Sequence, residues 1–164
     1  MSDHDHHDTP PEKEEDPAEI EARALKLLTR REHSRQELYF KLIQRQFSSG
    51  AIETVLNRLE DQGWLDDERF AQVFVRHRVE QGYGPLRILA DLQQKGVHWQ
   101  PEALSEVTSE QWLEQARAQR QRRFSPRGPL SWQEQGRQGR FLSRRGFTRE
   151  QVEAVLNEGA GDGP

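Results

Sequence analysis

Residues 42–57 read LIQRQFSSGAIETVLN, and one hundred positions later residues 142–157 read LSRRGFTREQVEAVLN. The pairs Leu42/Leu142, Arg45/Arg145, Phe47/Phe147, Glu53/Glu153, Val55/Val155, Leu56/Leu156 and Asn57/Asn157 are identical in register. Midway lies LQQKGVHWQPEAL, with Leu92 and Val97 in the matching places. The chain therefore carries three units at a period of about fifty residues, the mark of a modular array. Units of this size bury their apolar faces against one another and present an extended surface, which suits a long ligand.

Helix starts and stops bound each unit. Asp16 followed by Pro17 and Glu19 supplies an N-cap, a proline at the first helical position and a first-turn carboxylate. Ala24, Leu25, Leu27 and Leu28 then mark an apolar stripe. Ser34 and Glu37 form a capping box before Leu38, Leu42 and Ile43. Ser48 caps a third helix with Ile52, Val55, Leu56 and Leu59 inward, and Gly63 stops it. The first unit spans 16–64, with helices over 17–32, 35–46 and 49–62.

The second unit, 65–107, opens at Asp66 or Asp67, read as a cap for a helix that turns Phe70, Val73, Phe74 and His77 to one side. Gly82-Tyr83-Gly84-Pro85 is a sharp turn, with Pro85 at the first position of a helix lined by Ile88, Leu89 and Leu92. Lys95-Gly96 closes that helix, and Pro101 to Val107 forms a short third one. The third unit, 108–158, starts at Thr108 or Ser109, with Trp112 and Leu113 apolar. Gly136 and Gly139 weaken its middle helix by about 1 kcal/mol each. Thr148 and Gln151 form another capping box. Period-two alternation is never sustained, so the reading is all-α: three tandem three-helix modules in an elongated, curved array. Residues 1–15 and 159–164 read as disordered tails.

Composition narrows the class. The chain has 164 residues, 32% of them hydrophobic, which fits slender modules better than one thick core. It has no cysteine, so disulfides and thiolate metal sites are out. No apolar run approaches the roughly twenty residues that span a bilayer, and the N-terminus lacks a positive-then-apolar signal pattern. The expectation is a soluble, cytoplasmic monomer without membrane contact. His4, His6 and His7 lie in a polar segment that fixes no geometry for a metal, and no phosphate loop, zinc-protease motif or nucleophile elbow occurs. Neither cofactor nor metal nor catalysis is expected.

The net charge of −4 conceals an asymmetry. Residues 1–20 hold eight acidic residues against Lys13, and residues 115–149 hold ten arginines against Glu134 alone. One cluster is Arg117, Arg120, Arg122, Arg123 and Arg127; the other is Arg137, Arg140, Arg144, Arg145 and Arg149. Arginine favours planar bidentate contact with phosphates and carboxylates. Spacing places Arg137, Arg140 and Arg144 on one helical face. The earlier units add Arg30, Arg31, Arg35, Lys41, Arg45, Arg76, Arg78, Arg87 and Lys95 as partner- or phosphate-binding candidates. Nothing resembles a base-reading helix, so contact with nucleic acid would be to phosphates and salt-dependent. The acidic N-terminal segment could fold back on the Arg-rich unit and weaken such contact until a partner displaces it.

Three segments together, RREHSRQEL, RLEDQGWLDDERFAQVFVRHRVEQGYGPLRI and RFLSRRGFTREQVEAVL, resemble the RecX family of bacterial regulatory proteins from about Ile20 to Leu156. The central stretch Gly63–Ile88 is the most specific. The resemblance implies a curved array of three three-helix modules that binds the recombinase RecA in the groove of its filament on single-stranded DNA. It further implies restraint of filament growth, and with it of ATP hydrolysis, strand exchange and co-protease activity, in the regulation of DNA repair, recombination and the SOS response. Two other readings stay open on the residues alone: a stand-alone DNA-binding protein built from helix-turn-helix-like units, and a helical scaffold for another protein.

Overall fold

The computed structural model describes residues 16–158, which form nine α-helices and no strand. The expected tails, with His4, His6 and His7, lie outside the described residues. Module 1 comprises α1 (Pro17–Arg30), α2 (Arg35–Ile43) and α3 (Ser49–Asp61). Module 2 comprises α4 (Asp67–Glu80), α5 (Pro85–Gln94) and the single turn α6 (Glu102–Ser105). Module 3 comprises α7 (Ser109–Phe124), α8 (Trp132–Arg145) and α9 (Arg149–Leu156).

The caps do what their residue types dictate. Asp16 accepts the Ala18 N–H at 2.9 Å. Ser34 and Glu37 exchange hydrogen bonds at 3.1 and 3.2 Å, and Thr148 and Gln151 at 3.2 and 2.9 Å. Thr108 proves to be the cap of α7, in a box with Gln111. Asp66 caps α4, and Pro85 opens α5 behind Gly84. Asp67 departs from its expected role. Its carboxylate does not cap α4; it accepts the N–H of Arg35, the first residue of α2, at 2.7 Å. It thus satisfies an orphan donor of a helix in the other module.

Two further expectations are corrected. Val73 and His77 are exposed, and Ala71 and Val75 fill the core in their place. Helix α2 stops at Ile43, three residues early, because Gln46 takes the left-handed conformation with φ 67°. The glycine-bearing helix α8 runs unbroken from Trp132 to Arg145. A Cβ at Gly139 would lie 3.3 Å from Leu156, so its absence lets α9 pack closely.

Burial divides the molecule into two cores rather than three. Ile20, Ala24, Leu38, Leu42, Ile52, Val55, Leu56 and Leu59 form the first, closed by Leu65. The second is continuous across modules 2 and 3: Phe70, Val75, Ile88 and Leu92 share it with Trp112, Leu142, Phe147 and Val155. Backbone contact seals this fusion. The Gly84 N–H donates to the Arg145 carbonyl at 2.8 Å, and the Leu86 N–H to the Gly146 carbonyl at 2.9 Å. The approach requires glycine on both sides, since a Cβ at Gly84 would sit 2.3 Å from the Gly146 carbonyl carbon and Gly146 itself has φ 99°. Module 1 is attached by polar contacts instead: Asp67 to Arg35, Gln36 to the Gln94 carbonyl at 3.0 Å, Lys95 to Glu37 at 3.2 Å, and Arg69 to Glu32.

Candidate polyanion interface

The fused joint carries a ladder of cations and aromatic rings. The Lys95 ammonium lies 5.8 Å from the Phe74 ring centroid, and the Arg78 guanidinium lies 5.1 Å from both Phe74 and Tyr83. Tyr83 also takes Arg87 at 5.1 Å and Arg145 at 4.2 Å. Arg87 reaches on to the Arg144 carbonyl at 3.3 Å. Each such interaction contributes about 0.5–1 kcal/mol near the surface and orients the cation. The rungs differ in role. Arg145 is half-buried and donates to the Gln81 carbonyl at 2.7 Å, so it ties α8 to the end of α4. Arg78 is half-buried too and donates to the Gln81 side chain at 3.2 Å, whereas Arg87 is exposed and lies 3.7 Å from Asp91.

The arginine-rich third module is less positive in space than in sequence. Glu158 and Glu110 pair with Arg117 at 2.7 and 3.4 Å, and Glu153 pairs with Arg149 at 2.9 Å. These carboxylates lie outside the 115–149 window that looks almost free of counter-charge. Arg120 is an internal strut, donating to Gln138 at 2.8 Å and to the Val155 carbonyl at 3.1 Å. Arg137 pairs with Glu134 at 3.4 Å and lies over Phe124. Arg122, Arg123, Arg127, Arg140 and Arg144 remain exposed, and none has a carboxylate partner among the described residues.

In the first two modules the candidates sort the same way. Arg31 pairs with Glu37 at 2.9 Å, and Arg35 pairs with Glu60 at 2.8 Å and with Glu53. Both therefore serve the scaffold. Arg76 is exposed on α4. Arg30, Lys41 and Arg45 gather in a separate concavity on module 1, with Arg23 and Lys26, which the sequence reading passes over. The recurrence of Arg23, Lys26 and Arg30 at intervals of three and four residues is the signal that points to them. The role of Phe74 and Tyr83 also escapes a sequence reading, because Phe74 at helical spacing reads first as core and Tyr83 reads as part of a turn.

The polar joint is electrostatically tuned. Burial opposes ionisation of Glu37, but Arg31, the Ser34 N–H and Lys95 outweigh it and hold its pKa at about 2. Burial pushes the Asp67 carboxyl up, against the Arg35 N–H that pulls it down. His33 is buried, with Nδ1 at 3.0 Å from the Arg31 carbonyl and Nε2 at 2.9 Å from the Lys41 ammonium. Burial first, then the charges of Arg31 and Lys41, lowers its pKa despite the raising effect of the carbonyl. A neutral ring that donates from Nδ1 and accepts Lys41 at Nε2 satisfies both contacts. Lys41 is lowered in turn, by burial first and then by Arg31, with Lys95 and Arg30 adding to it.

Among the described residues, no cluster of His, Asp and Glu could hold a metal, and no helix is long and apolar enough to cross a membrane. Three linked three-helix units, with arginines held over an aromatic ring where modules 2 and 3 join, define a modular protein of helical-repeat type. Its relatives specify it further. Descriptions of the first, second and third three-helix domains of RecX match residues 21–59, 66–99 and 109–156. The "Regulatory protein RecX" of Halorhodospira halophila is 49% identical over 135 residues, covering 80% of this chain and 83% of that protein. That of Xanthomonas axonopodis pv. citri is 42% identical over 136 residues, covering 81% and 83%. The chain belongs to the RecX family. The crystal structure of RecX from Lactobacillus salivarius, 22% identical, shares the fold with a TM-score of 0.71 over 87% of this chain and 95% of that one.

Proposed function

We propose that this protein is a negative modulator of RecA that lies along the RecA–DNA filament, its modules bridging successive protomers. The observation that carries this reading is the ladder of Lys95, Arg78, Arg87 and Arg145 over Phe74 and Tyr83. It crosses a joint fixed by backbone hydrogen bonds, so its charges keep a set spacing along the array. Membership in a family of regulatory proteins supports the same reading. The mechanism is coupling by binding. A rigid array that fits one filament state better than another shifts the equilibrium by its difference in affinity and needs no chemistry of its own. Filament growth, ATP hydrolysis, strand exchange and co-protease activity fall as the filament leaves its active state.

The test adds the protein to preformed RecA filaments on single-stranded DNA and follows ATP hydrolysis. Hydrolysis should fall in a saturable way. Arg78→Gln/Arg87→Gln, which removes two of the cations over Tyr83, should need about tenfold more protein, as expected when charge-assisted hydrogen bonds worth a few kcal/mol at most are removed. Unchanged hydrolysis at saturating protein sinks the reading.

A further inference from the structure

Helices α1 and α2 enclose a concavity of about 250 Å³ on module 1, lined by Arg23, Lys26, Arg30, Lys41 and Arg45. None of the five has a carboxylate partner among the described residues, whereas Arg31, Arg35 and Arg58 on the same module each have one. Three like charges along one face of α1 repel one another and destabilise that helix. No ion pair among the described residues offsets that repulsion. Leu27 and Leu42 also line the concavity, and apolar walls strengthen the field of the surrounding cations. Lys41 is held in place by His33.

We propose that this concavity is a binding site for the phosphodiester backbone of single-stranded DNA. It is of a size to take phosphate groups. Three guanidinium forks converge there, suited to phosphate oxygens. Its lining contains no aromatic ring to stack a base, and its five cations stand beside a single side-chain amide, that of Gln44, so recognition is chiefly of backbone. A flexible single strand can dip its phosphates into such a recess, which the rigid ridge of a duplex cannot. Lys41 also borders the groove that holds Phe40, Arg78 and Lys95, but Glu37 and Asp91 line that groove too, so the proposed site is confined to the recess. The inference deepens the filament reading by naming where the DNA sits. It is tested without RecA, so that either can fail alone.

The experiment is fluorescence anisotropy of the full chain with a fluorescein-labelled oligothymidylate across a salt series. Lys26→Gln/Arg30→Gln/Arg45→Gln should weaken binding about tenfold or more and flatten the slope of log K against log salt by about 2, at roughly 0.7 for each phosphate no longer neutralised. The charge-matched control Arg58→Gln/Arg117→Gln/Arg149→Gln removes arginines that already have carboxylate partners and should change affinity far less. Circular dichroism verifies that both variants fold. The proposal is overturned if the recess variant binds like the unsubstituted protein, or if the control weakens binding as much. It is equally overturned if polyglutamate displaces the oligonucleotide as well as unlabelled oligothymidylate does, since the recess would then take acidic groups in general.

Discussion

Glu37 makes three interactions at once. It completes the capping box of α2, pairs with Arg31, and receives Lys95 from the end of α5. Its ionised form is favoured in the folded state, with a pKa near 2 against an ordinary value of 4.5. A depressed folded-state pKa gives stability that is present in full above the unfolded value and lost as pH falls through the folded one. Glu37→Gln should therefore destabilise the protein by about 2–3 kcal/mol at neutral pH. That gap should close between about pH 4.5 and about pH 2. Urea denaturation of both proteins across this range checks it; a gap that does not depend on pH would mean that Glu37 acts by packing alone.

At the scale of elements, the repeat reports more than sequence identity. The position four residues after each of Leu42, Leu92 and Leu142 has positive φ: 67° at Gln46, 85° at Gly96 and 99° at Gly146. Each unit ends its second helix by the same left-handed turn, so the echo is one of backbone geometry. Only at Gly146 does the turn also meet the backbone of another module, beside Gly84. Gly84→Ala places a methyl group where the Gly146 carbonyl carbon stands, and the α4–α5 turn must move away from α8. The expected cost is about 2–4 kcal/mol, in the range of overpacking and broken buried hydrogen bonds. Faster hydrogen exchange at the Leu86 amide would report the opened joint, and exchange at the original rate would show that the joint tolerates the methyl group.

At the scale of the molecule, two cores predict two cooperative units. Module 1 touches the rest through hydrogen bonds and the ion pairs Lys95–Glu37 and Arg69–Glu32, and salt screens the ion pairs, whereas modules 2 and 3 share apolar side chains. Calorimetry should resolve two transitions that separate further as salt rises. Leu56→Ala should lower one and Leu92→Ala the other, each by the equivalent of about 2–5 kcal/mol. A single transition that moves as a whole with either substitution would show that the polar joint couples the cores completely.

The amino-acid sequence by itself determined the helices, most of their caps, the threefold repeat and the positive character of the third unit. These rest on local rules: a side chain three residues from a backbone donor, an apolar stripe at helical spacing, a glycine where φ turns positive. The tertiary structure decided which cations are left over. Glu110, Glu153 and Glu158 neutralise Arg117 and Arg149 from outside the basic stretch, Arg120 and Arg145 turn inward as struts, and Asp67 caps a helix in the other module. It also assembled Arg23 and Lys26 with Lys41 and Arg45 into one recess, and set Phe74 and Tyr83 beneath their cations. The physical reason is range. Caps and periodicity act within a turn or two of chain, whereas charge compensation depends on which helices pack together, and no one-dimensional count of arginines contains that.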